Sequence, residues 1–146
     1  MAAATAAEAA TAAQAKAAAA CAAASVAAIG GDVCASLTRL SLRGLVDLRD
    51  DAVAAMAASC AGNLRELDLN GAASITDASL VALRHYCAPS LREIDLSFCR
   101  RISNGGLGQL VDASERLHTL RLWSCRQIDA TFHEGHLRED LKIIRF

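Results

Sequence analysis

Six cysteines, four histidines and sixteen carboxylates carry the reactive chemistry available to this chain of 146 residues. The nearest approach to a metal motif is His133-Glu134-Gly135-His136. A zinc-protease helix uses H-E-x-x-H, which puts both imidazoles one turn apart on one face with a Glu between them. Here the second His comes one residue early and a Gly intervenes, so the segment reads as an irregular convex stretch of a degenerate repeat. A three-ligand site with Cys125 is the sharper alternative. Cys60 and Cys87 stand 27 residues apart, and Cys99 and Cys125 stand 26 apart. Such spacing separates thiols rather than clustering them around an ion. Cys34 sits just outside these columns, and Cys21 lies in an Ala-rich stretch with nothing nearby to activate it. Gly105-Gly106 lacks the Lys that follows a phosphate-binding loop, no Ser heads a nucleophile motif, and His85 and His118 look solvated. No catalytic residue, metal or cofactor is expected.

The elements that must position these side chains emerge from an uneven composition. Hydrophobic residues make up 53% of the chain, but 33 residues are Ala, and 19 of those lie among the first 28 positions. All nineteen Leu fall at or after Leu37, and all five aromatics at or after Tyr86. The core-forming material therefore begins near residue 30. A net charge of −1 argues against a nucleic-acid footprint, which needs a basic surplus to displace counterions. No stretch is long and apolar enough to insert in a membrane. Residues 1–19 read as a low-complexity tail.

From Leu37 onward the pattern L-x-x-L-x-L recurs at Leu37-Leu40-Leu42, Leu64-Leu67-Leu69, Leu91-Ile94-Leu96 and Leu117-Leu120-Leu122, with starts 27, 27 and 26 residues apart. A fifth copy, Leu141-Ile144-Phe146, follows after 24. Other columns keep step: Leu48, Ile75, Ile102 and Ile128; Val53, Leu80 and Leu107; Met56, Leu83 and Leu110. The leucine pattern is a short strand with alternate side chains turned into a core. Asp50, Asp77 and Asn104 stand where a helix N-cap belongs, ahead of apolar residues at helical spacing. Each unit is strand, turn, helix. It cannot bury its own apolar face, so units must stack. The expected fold is an α/β solenoid with a short curved parallel sheet on the concave side and helices on the convex side. Its units are 37–63, 64–90, 91–116, 117–140 and a final strand 141–146. Extended backward, the register places Val26 and Ile29 on a helix of a partial N-terminal capping repeat over 20–36, stopped by Gly30-Gly31.

Strand residues that face outward on the concave side define the candidate site. They are Arg39, Ser41 and Arg43; Glu66, Asp68 and Asn70; Glu93, Asp95 and Ser97; Thr119, Arg121 and Trp123; and Ile143 and Arg145. The acidic centre of Glu66, Asp68, Glu93 and Asp95 is flanked by Arg39 and Arg43 on one side, Arg121 and Trp123 on the other. Trp and Arg are the types most enriched at binding hot spots, which points to a basic or mixed-charge protein segment as partner. A solvated face without a partner is the plainer reading. At the other end, Ile143, Ile144 and Phe146 form an open edge, an aggregation liability. Either the sequence is a fragment or a partner subunit covers that edge.

The runs NLRELDLNGAASITDASLVALRHYC and SLREIDLSFCRRISNGGLGQL resemble the cysteine-containing class of leucine-rich repeats over roughly Val33 to Phe146. That class is common in F-box proteins, the substrate receptors of SCF ubiquitin ligases, and also in axonemal, mitochondrial-assembly and DNA-repair-associated proteins. The resemblance implies a non-catalytic protein-interaction module. Its partners would be ubiquitin-ligase components or subunits of a large assembly, in the cytoplasm or nucleus, with a mitochondrial address as the alternative. Residues 1–36 contain neither Leu nor Pro, so they do not hold the Leu- and Pro-containing F-box. If the chain is complete, it is not expected to dock a cullin adaptor in the usual way.

Overall fold

A computed structural model describes residues 36–135 and 138–145, with the side chains of His133 and Glu134 excepted. The Ala-rich tail, the 20–36 cap apart from Ser36, Cys21, Cys34, His136 and Phe146 lie outside the described residues. The elements alternate strictly. Strands are β1 (Arg39–Ser41), β2 (Glu66–Asp68), β3 (Glu93–Asp95), β4 (Thr119–Arg121) and β5 (Lys142–Ile144). Between them run α1 (Asp50–Ser59), α2 (Asp77–Tyr86), α3 (Asn104–Ala113) and the short α4 (Ala130–Gly135). The strands form one parallel sheet in chain order, β1-β2-β3-β4-β5. This is the expected α/β solenoid.

Its interior is built by the columns. Leu40, Leu67, Ile94 and Leu120 pair in register across the sheet, and all are buried. Val53, Met56, Leu80, Leu83, Leu107 and Leu110 seal the helix side, none more than 1% exposed. Each stripe buries itself against its neighbours, as stacked units require. In the fourth unit Phe132 fills the core one column earlier than Leu107 does, and α4 lasts only six residues.

Two expectations are corrected. The column of Asp50, Asp77 and Asn104 does not cap its own helix. The capping residues are one earlier, at Arg49, Thr76 and Ser103, and the column reaches to the following unit instead. Asp50 accepts hydrogen bonds from the Thr76 N–H and hydroxyl, each 2.8 Å, and from the Ser79 hydroxyl at 2.6 Å. Asp77 accepts from the Ser103 N–H at 2.7 Å and hydroxyl at 2.6 Å. Asn104 continues the series by donating to Asp129 at 2.7 Å and accepting from its N–H at 3.2 Å. The column thus ties one helix start to the next. Gly106 is required for the same reason: a Cβ there would stand 2.5 Å from the Asp77 carboxyl carbon.

The second correction concerns β5. Lys142 pairs with Thr119, Ile143 with Leu120 and Ile144 with Arg121. Ile143 therefore takes the inward column and Ile144 the concave one, one residue out of step with the Leu141-Ile144-Phe146 reading. The last unit is short, and Leu141 already occupies a buried position before the strand begins. A slip of one residue turns every side chain of a strand to the opposite face.

Candidate functional site

Strand alternation lays two rows of side chains across the concave surface. One row is Arg39, Glu66, Glu93, Thr119, Lys142, and the other is Ser41, Asp68, Asp95, Arg121, Ile144. Adjacent strands in such a sheet lie about 4.8 Å apart. Glu66 is thus set beside Glu93 and Asp68 beside Asp95, two like-charge neighbours in register. Direct juxtaposition of like charges destabilises a sheet. Local bonds offset part of it. Arg39 clasps Glu66 with two contacts, 2.5 and 2.7 Å. Asp68 accepts from the Asn70 N–H at 3.0 Å and the Ser41 hydroxyl at 3.2 Å. Asp95 accepts from the Ser97 N–H at 2.9 Å. Ser97, expected on the open face, is buried, and its hydroxyl accepts from the Trp123 N–H at 3.1 Å. Of the flanking residues, Arg43 and Arg121 are exposed, and Trp123 presents 40% of its surface.

The edge where the chain leaves the strands is the feature that sequence reasoning missed. Each of the first four strands is followed by a tight turn at equivalent positions, Gly44, Gly71, Phe98 and Ser124, and all four have positive φ, 77°, 81°, 63° and 54°. Glycine suits that left-handed backbone, whereas a side chain with a Cβ is strained there by roughly 1–2 kcal/mol. Phe98 bears that strain with 42% of its surface exposed, so burial offsets it only in part. The Phe98 N–H donates to the Trp123 carbonyl at 2.7 Å, which sets two exposed aromatic residues on neighbouring turns. Arg100, Arg101 and Arg126 follow on the same turns, all exposed. Among the described residues they form no ion pair. Their counterparts on the first two turns are Val46 and Asp47, then Ala73 and Ser74. A shallow cavity of about 150 Å³, floored by Leu122, Cys125 and Ile128, opens beside Arg126 and Arg145. The signal was legible in principle: two glycines in a column that then continues as Phe and Ser.

The thiols are interior groups. Cys99 Sγ donates to the Leu69 carbonyl at 3.3 Å, Cys125 Sγ to the Leu96 carbonyl at 3.1 Å, and Cys87 Sγ to the Ala57 carbonyl at 3.7 Å. Burial pushes their pKa values up, to about 12 for Cys99 and about 11 for Cys125 and Cys87. A thiol so far from ionisation is a poor nucleophile and metal ligand. Among the described residues no three His, Cys, Asp or Glu side chains are grouped to hold a metal ion. Arg138 also works structurally. It donates to the carbonyls of Val111, Ser114 and Glu115, closing the end of α3, while Asp140 holds it through two contacts.

The columns, the parallel sheet and the convex helices agree with comparison to known proteins. Residues 63–83 and 87–111 match the family model described as leucine-rich repeat. Over those residues the chain is built of leucine-rich repeats, and the same strand-turn-helix fold continues on either side. Among solved structures, a chain in the crystal structure of the Rad7 and Elc1 complex in yeast shares the fold, with a TM-score of 0.58 at 15% sequence identity. The match covers 75% of this chain and 32% of that chain, so the protein spans about a third of that neighbour's length. No curated protein sequence matches. Within the described leucine-rich repeats, no helix is long and apolar enough to cross a membrane.

Proposed function

We propose that this leucine-rich-repeat chain is a non-catalytic protein-recognition module whose concave face takes a basic or mixed-charge segment of a partner protein. The observation that carries the reading is the block of Glu66, Glu93, Asp68 and Asp95 in register on adjacent strands, bordered by exposed Arg121 and Trp123. Like charges held side by side by a rigid sheet lose their mutual repulsion when a cationic segment lies over them, and complementarity of this kind favours specific partners. Trp123 supplies the large, amphipathic surface that anchors interfaces. The residues Arg39, Arg43, Glu66, Asp68, Glu93, Asp95, Arg121 and Trp123 form the contact surface, and Ile144 extends it across β5.

Within this reading, the resemblance to the repeats of F-box receptors makes substrate selection for a ubiquitin ligase the specific role we favour. A structural subunit of a larger axonemal or mitochondrial assembly is the alternative, with Ile143, Ile144 and Phe146 covered by a neighbour. Affinity purification of the endogenous protein, with its partners quantified, separates the two. Cullin and its adaptor should co-purify in the first case, and a stoichiometric set of scaffold subunits in the second. The combined Trp123→Ala and Glu93→Ala variant should lose its partners. If every association survived that variant unchanged, the concave-face reading would be dead.

A further inference from the structure

The turn edge of the third and fourth repeats carries Phe98, Arg100, Arg101 and Arg126 where the first two carry Gly44, Val46 and Asp47, then Gly71, Ala73 and Ser74. We propose that this edge is a second binding site, distinct from the concave rows, which takes an acidic segment of a partner protein seated on Phe98 and held by Arg100, Arg101 and Arg126. The repeat path demands a left-handed residue at this turn, and Gly44 and Gly71 meet the demand without strain. Phe98 meets it at φ 63° with 42% of its surface exposed. Burial of the rest of the side chain offsets that strain only in part, and the exposed part of the ring is explained by what it contacts when bound. Strain retained against a fold's interest marks functional positions.

Charge fixes the chemistry of the partner. Arg100 and Arg126 hold the same place on successive turns, Arg101 follows directly, and none has an ion pair among the described residues. A guanidinium fork recognises carboxylates through paired hydrogen bonds, and the exposed part of Phe98 gives an apolar side chain of the same segment a place to rest. The carboxylates of Glu93 and Asp95 on the preceding strand repel a long polyanion. A short acidic protein segment confined to the edge fits better than nucleic acid or an anionic membrane. The site stands independently of the concave-face reading, because none of Phe98, Arg100, Arg101 and Arg126 belongs to the concave rows.

The test uses the full chain and a fluorescein-labelled peptide of four Glu, Leu, Phe and four Glu, with a counterpart in which Lys replaces each Glu. The acidic peptide should bind at least about tenfold more tightly than the basic one, and salt should weaken it. The Arg100→Ala and Arg126→Ala double variant should bind about tenfold more weakly at an unchanged melting temperature. Phe98→Gly should also lose binding, yet melt higher than the wild type. A residue there for structural reasons would instead lower the melting temperature when removed. Trp123→Ala with Glu93→Ala, the variant that tests the concave face, should retain affinity for the acidic peptide within a few-fold. Equal binding of both peptides, tighter binding of duplex DNA or anionic vesicles, or a lowered melting temperature for Phe98→Gly would overturn the proposal.

Discussion

The turns after β1 and β2 and those after β3 and β4 follow one backbone path and carry unrelated side chains. The path is the same because the same bond defines it. The N–H of Gly44 donates to Asn70, that of Gly71 to Ser97 and that of Phe98 to Trp123, at 2.7, 2.8 and 2.7 Å. Above that path, glycine gives way to Phe98 and Ser124, and Val46 and Ala73 give way to Arg100 and Arg126. Beneath it, Leu45 and Ala72 give way to the thiols of Cys99 and Cys125. The repeat constrains what points inward and where the backbone turns, and leaves the outer edge free to diverge. Divergence that costs stability, as at Phe98, is where recognition is to be sought.

The largest test asks whether the interior is as uniform as the edge is not. Leu69→Ala and Leu96→Ala occupy the same fully buried column on either side of the divide, and each should cost about 2–5 kcal/mol by thermal or denaturant unfolding. A strongly unequal pair would show that the halves are not equivalent inside.

Next, the Asp50 link and the buried thiols should fail at opposite ends of the pH scale. Burial by itself raises the Asp50 carboxyl, but hydrogen bonds from Ser79 and Thr76 more than offset that and hold it below its ordinary 3.8. Its contribution is complete above 3.8 and lost as pH falls through the lower folded value. Asp50→Ala, removing a partner from the groups it bonds, should cost about 1–3 kcal/mol and flatten the acid limb. The raised thiols of Cys87, Cys99 and Cys125 act in reverse. Their contribution is complete below the ordinary 9.0 and lost as pH rises toward about 11 to 12. Hydrogen exchange should therefore show the starts of α1 and α2 loosening first in acid, and the segments around Cys87, Cys99 and Cys125 first in alkali.

A smaller effect comes from exchanging the turn residues. Gly71→Ala should lose about 1 kcal/mol and Phe98→Gly gain a similar amount, measured by melting temperature. Opposite signs support the comparison, and equal signs break it. The smallest change is none at all. At pH 8 an alkylating reagent should leave Cys60, Cys87, Cys99 and Cys125 unmodified in the folded protein, by mass mapping of each thiol, because all four are buried.

Much of this architecture is legible in residues alone, because solenoids write their core as columns. Leu40, Leu67, Ile94 and Leu120 announce the sheet, and Val53, Leu80 and Leu107 the helices. The register fails in the last unit, where Leu141 sits buried before β5 and a pattern match cannot tell Ile143 from Ile144. The Asp50 column was visible too, but its partner was not. An Asp at a helix start suits a local cap, and only three-dimensional stacking shows Thr76 and Ser79 within reach. The rows of the concave face were readable from alternation, except Ser97, which the following turn buries under Trp123. Phe98 escaped because an aromatic beside a leucine strand looks like core until its φ is known.

We place recognition on the concave face and the adjoining turn edge rather than on the convex helices. Hydrogen exchange of the full chain with and without its purified partner tests it directly. Binding should protect amides across Glu66–Asp68, Glu93–Asp95 and the turn from Ser97 to Ser103, and leave α1 and α2 exchanging as before. Protection confined to Asp50–Ser59 and Asp77–Tyr86, with the strands and turns unchanged, would contradict it.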